Sequence, residues 1–187
     1  MRIISGFLKG KKINFIKNVT TRPLKDSVKE NIFNVLAHSN QIKIKLEKAN
    51  VLDLYSGIGS FGIECISRGA QKVTFVEKDN NAAKILNKNL LNFSIKKITS
   101  VYNGEIDLFL EKKNYEKFNI FFLDPPFKSK EFIENIEVIK KSQFFEDNHI
   151  VVIHREIKSN DNLDKYINVL ITKYYGRSKI IFGTFNW

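Results

Sequence analysis

The chain has 187 residues, 43% hydrophobic and 27% charged, as expected of one globular domain with a full core. The single cysteine, Cys65, excludes an internal disulfide and a cysteine-cluster metal site. The histidines His38, His149 and His154 lie far apart without ligand spacing, so no metal mechanism is expected. With no apolar run long enough to span a bilayer and no secretory signal after Met1, a cytoplasmic, membrane-free protein is expected. Thirty-one basic residues against 20 acidic ones give a net charge of +11 and a pI near 9.6. That balance favours polyanionic partners, nucleic acid above all, although heavy use of Lys, Asn and Ile would also follow from an AT-rich genome.

In chain order, residues 2–16 (RIISGFLKGKKINFI) read as two short strands around a glycine-containing turn. With Lys9, Lys11 and Lys12 concentrated here, residues 1–24 are expected to form a small basic hairpin arm ahead of one domain over 25–187. A helix is predicted from Asp26 or Ser27, where Ser27 to Glu30 fits a capping box and Val28, Ile32, Phe33, Val35 and Leu36 share a face. After a polar connection at 38–48, apolar runs at 51–55, 72–76, 98–102, 119–123 and 150–154 alternate with helical patterns near 60–68, 80–92, 105–112 and 131–141. This alternation implies right-handed crossovers and a mostly parallel sheet covered by helices on both faces. The last part differs: 166–174 and 179–185 flank Tyr175-Gly176-Arg177-Ser178 with no room for a helix, so they form an antiparallel hairpin.

In such a sheet, ligands bind outside the carboxyl ends of the strands. The first strand runs from Asp53 into Ser56-Gly57-Ile58-Gly59-Ser60-Phe61-Gly62, and Gly57, Gly59 and Gly62 match the G-x-G-x-x-G fingerprint. Glu77, ending the second strand, stands where a carboxylate accepts hydrogen bonds from ribose hydroxyls. A nicotinamide enzyme, an S-adenosylmethionine enzyme and a plain strand-to-helix turn all fit these residues. Two observations tilt the choice. Asp53 lies inside the strand, where a pyrophosphate gains nothing from an anion but the ammonium of a methionine moiety does. A dehydrogenase also needs a His or Tyr facing the nicotinamide, usually from an added substrate domain for which this chain is too short.

The fourth strand ends abruptly in Asp124-Pro125-Pro126-Phe127, which takes two of the three prolines in the chain. Two consecutive prolines cannot continue a central strand, so they set a rigid elbow at its end. The constellation fits methylation of an exocyclic nucleobase amine, a poor nucleophile whose lone pair is delocalised into the ring. The Asp124 carboxylate and the Pro125 carbonyl can hold its two hydrogens, and Phe127 can stack on an extruded base.

Taken together, these motifs resemble the bacterial 16S ribosomal RNA guanine-N2 methyltransferases of the RsmD type. The resemblance covers RIISGFLKGKKI, TRPLKDSVKENIFNVL, VLDLYSGIGSFGIECISRGA, VTFVEKD, FFLDPPF and KYYGRSKIIF. Of these, DPPF is shared by several amino-methyltransferase families, whereas the N-terminal RIISG, TRP and VKENIFNVL block is lacking in adenine-N6 DNA methyltransferases. The resemblance implies a Rossmann-like class I methyltransferase fold, a seven-stranded mostly parallel sheet with a C-terminal antiparallel hairpin. It also implies S-adenosylmethionine as cofactor and a guanine of 16S rRNA as substrate, in the 30S subunit or its assembly intermediate. A monomer is expected. The expected cofactor residues are Asp53, Ser56, Gly57, Gly59, Glu77, Lys78 and Asp124, joined through the resemblance by Asn103, Gly104 and Glu105. Asp124, Pro125 and Phe127 are the catalytic candidates, and Lys9, Lys11, Lys12, Arg22 and Phe127 the RNA contacts. Leu24 stands where the family usually has Thr, and Ser27 where it often has Arg. An adenine-N6 methyltransferase on DNA or rRNA and a nucleic-acid-binding module without a working cofactor pocket are the alternatives.

Overall fold

The computed structural model describes residues 1–15, 24–112 and 116–186. Helix α1 (Asp26–His38) precedes the alternating region of β1 (Asn50–Leu54), α2 (Ser60–Ser67), β2 (Lys72–Glu77), α3 (Asn80–Asn92), β3 (Thr99–Asn103), α4 (Ile106–Leu110), β4 (Phe118–Leu123), α5 (Glu131–Ser142) and β5 (Phe145–Glu156). Strands β6 (Ile167–Tyr175) and β7 (Ser178–Phe185) follow. One seven-stranded sheet results, in the order β3-β2-β1-β4-β5-β7-β6. All pairs from β3 across to β5 are parallel, and β7 is antiparallel to both β5 and β6.

Because strand side chains alternate between faces, the near-continuous apolar runs split into two cores. Val51, Val73, Phe75, Ile120, Phe122, Ile150 and Val152 face α1, α2 and α3. Leu52, Leu54, Val76, Phe121, Leu123, Val151 and Ile153 face α4 and α5. Asp53 is in phase with Val51, which turns a carboxylate towards the α2 side. Among the described residues no helix is long and apolar enough to cross a membrane.

Two local expectations are corrected. The capping box does not form: α1 starts at Asp26 with Lys25 as its N-cap, and the Lys25 carbonyl accepts from Lys29 N–H at 2.9 Å. Ser27 is thus already inside the first turn, where its hydroxyl caps nothing. Among the described residues the two N-terminal strands shrink to one antiparallel bridge, Arg2 with Lys12, and the donors of Ile4, Ser5, Phe7 and Leu8 turn to α2. Ile4 and Ser5 N–H donate to the Glu64 carboxylate at 2.8 and 2.9 Å, and Phe7 N–H to the Ser67 carbonyl at 2.9 Å. Ile3, Leu8 and Ile13 are buried in the α1–α3 core. Lys29, also buried, lies 2.8 Å from the Arg2 carbonyl and 3.5 Å from Glu64 Oε2. Burial pulls its ammonium below the ordinary value, opposed by Glu64 and Asp26.

Candidate active site

The strand order reverses between β1 and β4, and the carboxyl ends there open into a cleft of about 1280 Å³, the place where open parallel sheets bind ligands. Gly57 takes φ +54 with nothing within 4 Å of where a Cβ would stand, so its backbone is open to a ligand. Its N–H donates to Glu77 Oε2 at 2.6 Å, and Asp79 N–H donates to Glu77 Oε1 at 2.8 Å. Glu77 therefore ties the glycine loop to the end of β2, and burial raises its carboxyl above the ordinary value. Ser56 lines the cleft and donates its hydroxyl to the Val76 carbonyl at 3.3 Å.

Gly59, in contrast, does not border the cleft. It is the N-cap of α2 at φ +85, and a Cβ there would lie 2.4 Å from Leu86 Cδ1, so a glycine lets α2 start close against α3. Asn103 and Gly104 also stand outside the cleft lining: Asn103 Nδ2 donates to Asn80 Oδ1 at 2.7 Å, and Gly104 N–H to the Glu77 carbonyl at 3.0 Å. Lys78 and Glu105 do line it, as an exposed ion pair at 3.4 Å.

Asp53 is the unusual group. Its Oδ2 accepts from Gly62 N–H at 2.9 Å, while Oδ1 is buried with no hydrogen-bond partner. Burial raises its carboxyl well above the usual range, and the charges of Asp124 and Glu77 act in the same direction. An orphaned acceptor in a cleft wall suits a cationic ligand group, which would supply the missing donor.

Across the cleft, Asp124 N–H donates to the Leu54 carbonyl at 3.4 Å, which fixes the elbow to the end of β1. Its Oδ1 lies 2.8 Å from His154 Nδ1, and His154 Nε2 lies 2.9 Å from Ser178 Oγ. The Phe127 ring meets the His154 ring edge-on at 5.6 Å. Pro125 is buried and Pro126 exposed, both at the cleft wall.

Arg155, next along β5, holds the elbow from behind. Its Nη1 donates to the Pro126 carbonyl at 3.2 Å, and its Nη2 to the carbonyls of Phe127 and Ser129 at 3.0 and 3.3 Å. Its Nε donates to Asp161 Oδ2 at 2.8 Å, and its guanidinium covers the Phe132 ring. Although burial pushes the Asp161 carboxyl up, the bond and charge of Arg155 hold it below the ordinary value. Tyr55, at φ +59 just after β1, also borders the cleft; its hydroxyl accepts from Asn135 Nδ2 at 2.9 Å, and burial pushes it to about 12.

Sequence reasoning missed His154, Arg155, Ser178 and Tyr55. The signal for the first two was their position at the carboxyl end of the IVVIHRE strand. Of the expected RNA contacts, Lys9, Lys11 and Lys12 are exposed on the N-terminal segment and away from the cleft lining, whereas Phe127 lines it. Arg22 lies outside the described residues. Phe15, half exposed, reaches the cleft from the arm.

The family model of conserved hypothetical protein 95 matches residues 1–184. The Ribosomal RNA small subunit methyltransferase D of Haemophilus influenzae is 32% identical over 158 residues, 83% of this chain and 79% of that protein. That of Buchnera aphidicola subsp. Baizongia pistaciae is 30% identical over 185 residues, 99% of this chain and 91% of that protein. The solved structure of yhhF from Escherichia coli superposes with a TM-score of 0.84 at 27% identity, covering 99% of this chain and 97% of that one. Agreement of sequence and fold over nearly the whole length makes the chain a member of the conserved hypothetical protein 95 family and a class I methyltransferase.

Proposed function

We propose that the protein methylates the exocyclic N2 amine of a guanine in small-subunit ribosomal RNA, using S-adenosylmethionine. The observation that carries this reading is the pairing of an orphaned Asp53 oxygen beside the glycine loop with an Asp124–Phe127 elbow on the opposite wall of one cleft. The residues present fit the cofactor. Asp53 Oδ1 is the acceptor for its ammonium, Gly57 allows close backbone approach, and each Glu77 oxygen, though bound to one amide, keeps a second lone pair for ribose hydroxyls. When bound, S-adenosylmethionine would supply an electrophilic sulfonium methyl and keep the S–C electron pair, and the amine that takes the methyl would give up one proton.

The chain's own part is binding and orientation. Asp124 and the Pro125 carbonyl accept from the amine, with Asp124 the base beside the departing proton, and Arg155 fixes the carbonyls of Pro126 and Phe127 that follow. Phe127 offers a flat face to the extruded base, worth about 1–3 kcal/mol of stacking. The acidic cleft repels phosphate, so the RNA backbone is held outside it by Lys9, Lys11 and Lys12. The relatives' names point to small-subunit rRNA as the substrate.

The test is nucleoside mass spectrometry on small subunits from a strain lacking the gene, after incubation with the purified protein and cofactor. A gain of N2-methylguanosine is expected. A gain of N6-methyladenosine would replace guanine by adenine, and no methyl gain would overturn the reading.

A further inference from the structure

We infer that His154 is a positioning residue for the methyl transfer, its Nδ1–H holding one oxygen of Asp124 so that the other is left for the substrate amine; this rests on the function proposed above. A carboxylate oxygen can only accept, so the proton between Asp124 Oδ1 and His154 Nδ1, 2.8 Å apart, sits on the imidazole. Nε2 then carries the lone pair and accepts the Ser178 hydroxyl at 2.9 Å. With both ring nitrogens engaged, the tautomer and the ring plane are fixed together.

The support is rigid. His154 lies in the antiparallel β5–β7 ladder opposite Ile180, and its neighbour Ile153 pairs with Leu123, the residue before Asp124. The imidazole is thus set by the sheet, whereas the aspartate it holds stands on the first residue beyond a strand. Among the described residues, His154 is the hydrogen-bond partner of the Asp124 carboxylate. The same ring packs edge-on against Phe127, so one side chain sets both the acceptor and the stacking face of the elbow.

The experiment compares the wild type with His154→Leu and His154→Asn. The asparagine amide nitrogen can occupy the place of Nδ1–H and donate to Asp124, whereas leucine cannot. Three readouts are taken: the imidazole tautomer by nitrogen-15 NMR of the free protein, cofactor affinity by calorimetry, and single-turnover methylation of small subunits. The expected results are an Nδ1–H tautomer, unchanged cofactor affinity, and a rate lowered about ten- to a hundredfold in His154→Leu. His154→Asn should recover most of that loss. An Nε2–H tautomer, a His154→Leu rate equal to wild type, or a His154→Asn protein without rescue would each overturn the inference. A wild-type protein that methylates no small subunit would overturn the proposed function itself, and this inference with it, whatever the tautomer.

Discussion

On the function proposed above, Asp53 sets the stability of the free protein against its ability to bind a cation. Burial, with Asp124 and Glu77 acting alongside, raises its carboxyl well above the usual range, so the folded chain takes up a proton at higher pH than the unfolded chain. Between those two values the folded state holds more protons, and stability therefore falls as pH rises through that window. Asp53→Asn imitates the protonated form. It should raise the melting temperature of the free protein at neutral pH, on the scale of about 1–3 kcal/mol for an unpaired buried acceptor, and it should weaken cofactor binding. A variant that melts lower and binds as tightly as wild type would remove Asp53 from the ammonium site. Acidification of the wild type should weaken cofactor binding in the same way, because Asp53 loses its charge at a higher pH than an ordinary aspartate. Asp124 has the opposite profile. Its carboxylate is already paired with His154, and the proposed function gives the cofactor's ammonium to Asp53 instead. Asp124→Ala should therefore keep the fold and most of the cofactor affinity while slowing methyl transfer on the order of a hundredfold or more. Single-turnover assays beside a thermal melt check this, and near wild-type transfer would sink the role given to the elbow.

At the scale of elements, the elbow after β4 is held by a residue of β5. Arg155 is buried with Asp161, each side chain 2% exposed, and their ion pair closes at 2.8 Å. Arg155→Ala would leave that carboxylate uncompensated and the carbonyls of Pro126, Phe127 and Ser129 without their donor, at a cost of about 3–5 kcal/mol. For a chain of this length, that lowers the melting temperature by roughly 2–4 °C per kcal/mol; a melt indistinguishable from wild type would show that the clamp contributes nothing. The clamp also explains which elements could be read from sequence. Helix α3 falls at 80–92 as its periodicity predicts, and β4 stops where Asp124-Pro125-Pro126 forbids a strand. Both depend on neighbours in the chain. Strand β5 starts five residues before the predicted 150, because the polar residues Glu146 to His149 read locally as a loop. What makes them a strand is distant: Phe145 pairs with Phe118, and His149 Nε2 accepts from Phe185 N–H at 2.9 Å. The contacts of His154 and Arg155 escaped for the same reason, since their partners are the β4 elbow, Ser178 at the start of β7 and Asp161. The glycine loop and the DPPF elbow were legible because each carries its chemistry within a few consecutive residues.

Across the whole molecule, charge is divided by location. The net charge is +11, yet the cleft is lined by Asp53, Glu77, Asp79, Glu105, Asp107, Asp124, Glu131 and Glu134 against Lys25, Lys78 and Arg177. An acidic cleft suits a cationic cofactor and an amine, but it repels the phosphates of the RNA that must deliver the base. The attraction that brings RNA in therefore has to come from outside the cleft. The N-terminal segment is placed to supply it: Lys9, Lys11 and Lys12 are exposed, the backbone beneath them is anchored to Glu64 and Ser67, and Phe15 just beyond reaches the cleft. Flexible lysines neutralise phosphates without reading bases, so their contribution should appear mainly as salt dependence. Replacing all three by alanine should lower RNA affinity and reduce the slope of log affinity against log salt by about 0.7–0.9 for each phosphate that is no longer neutralised. Cofactor affinity should not change, because none of the three borders the cleft. The measurement is RNA binding titrated across salt concentrations, beside cofactor calorimetry on the same preparation. A slope equal to the wild type's would mean that these lysines reflect the composition of an AT-rich genome and that another surface delivers the substrate.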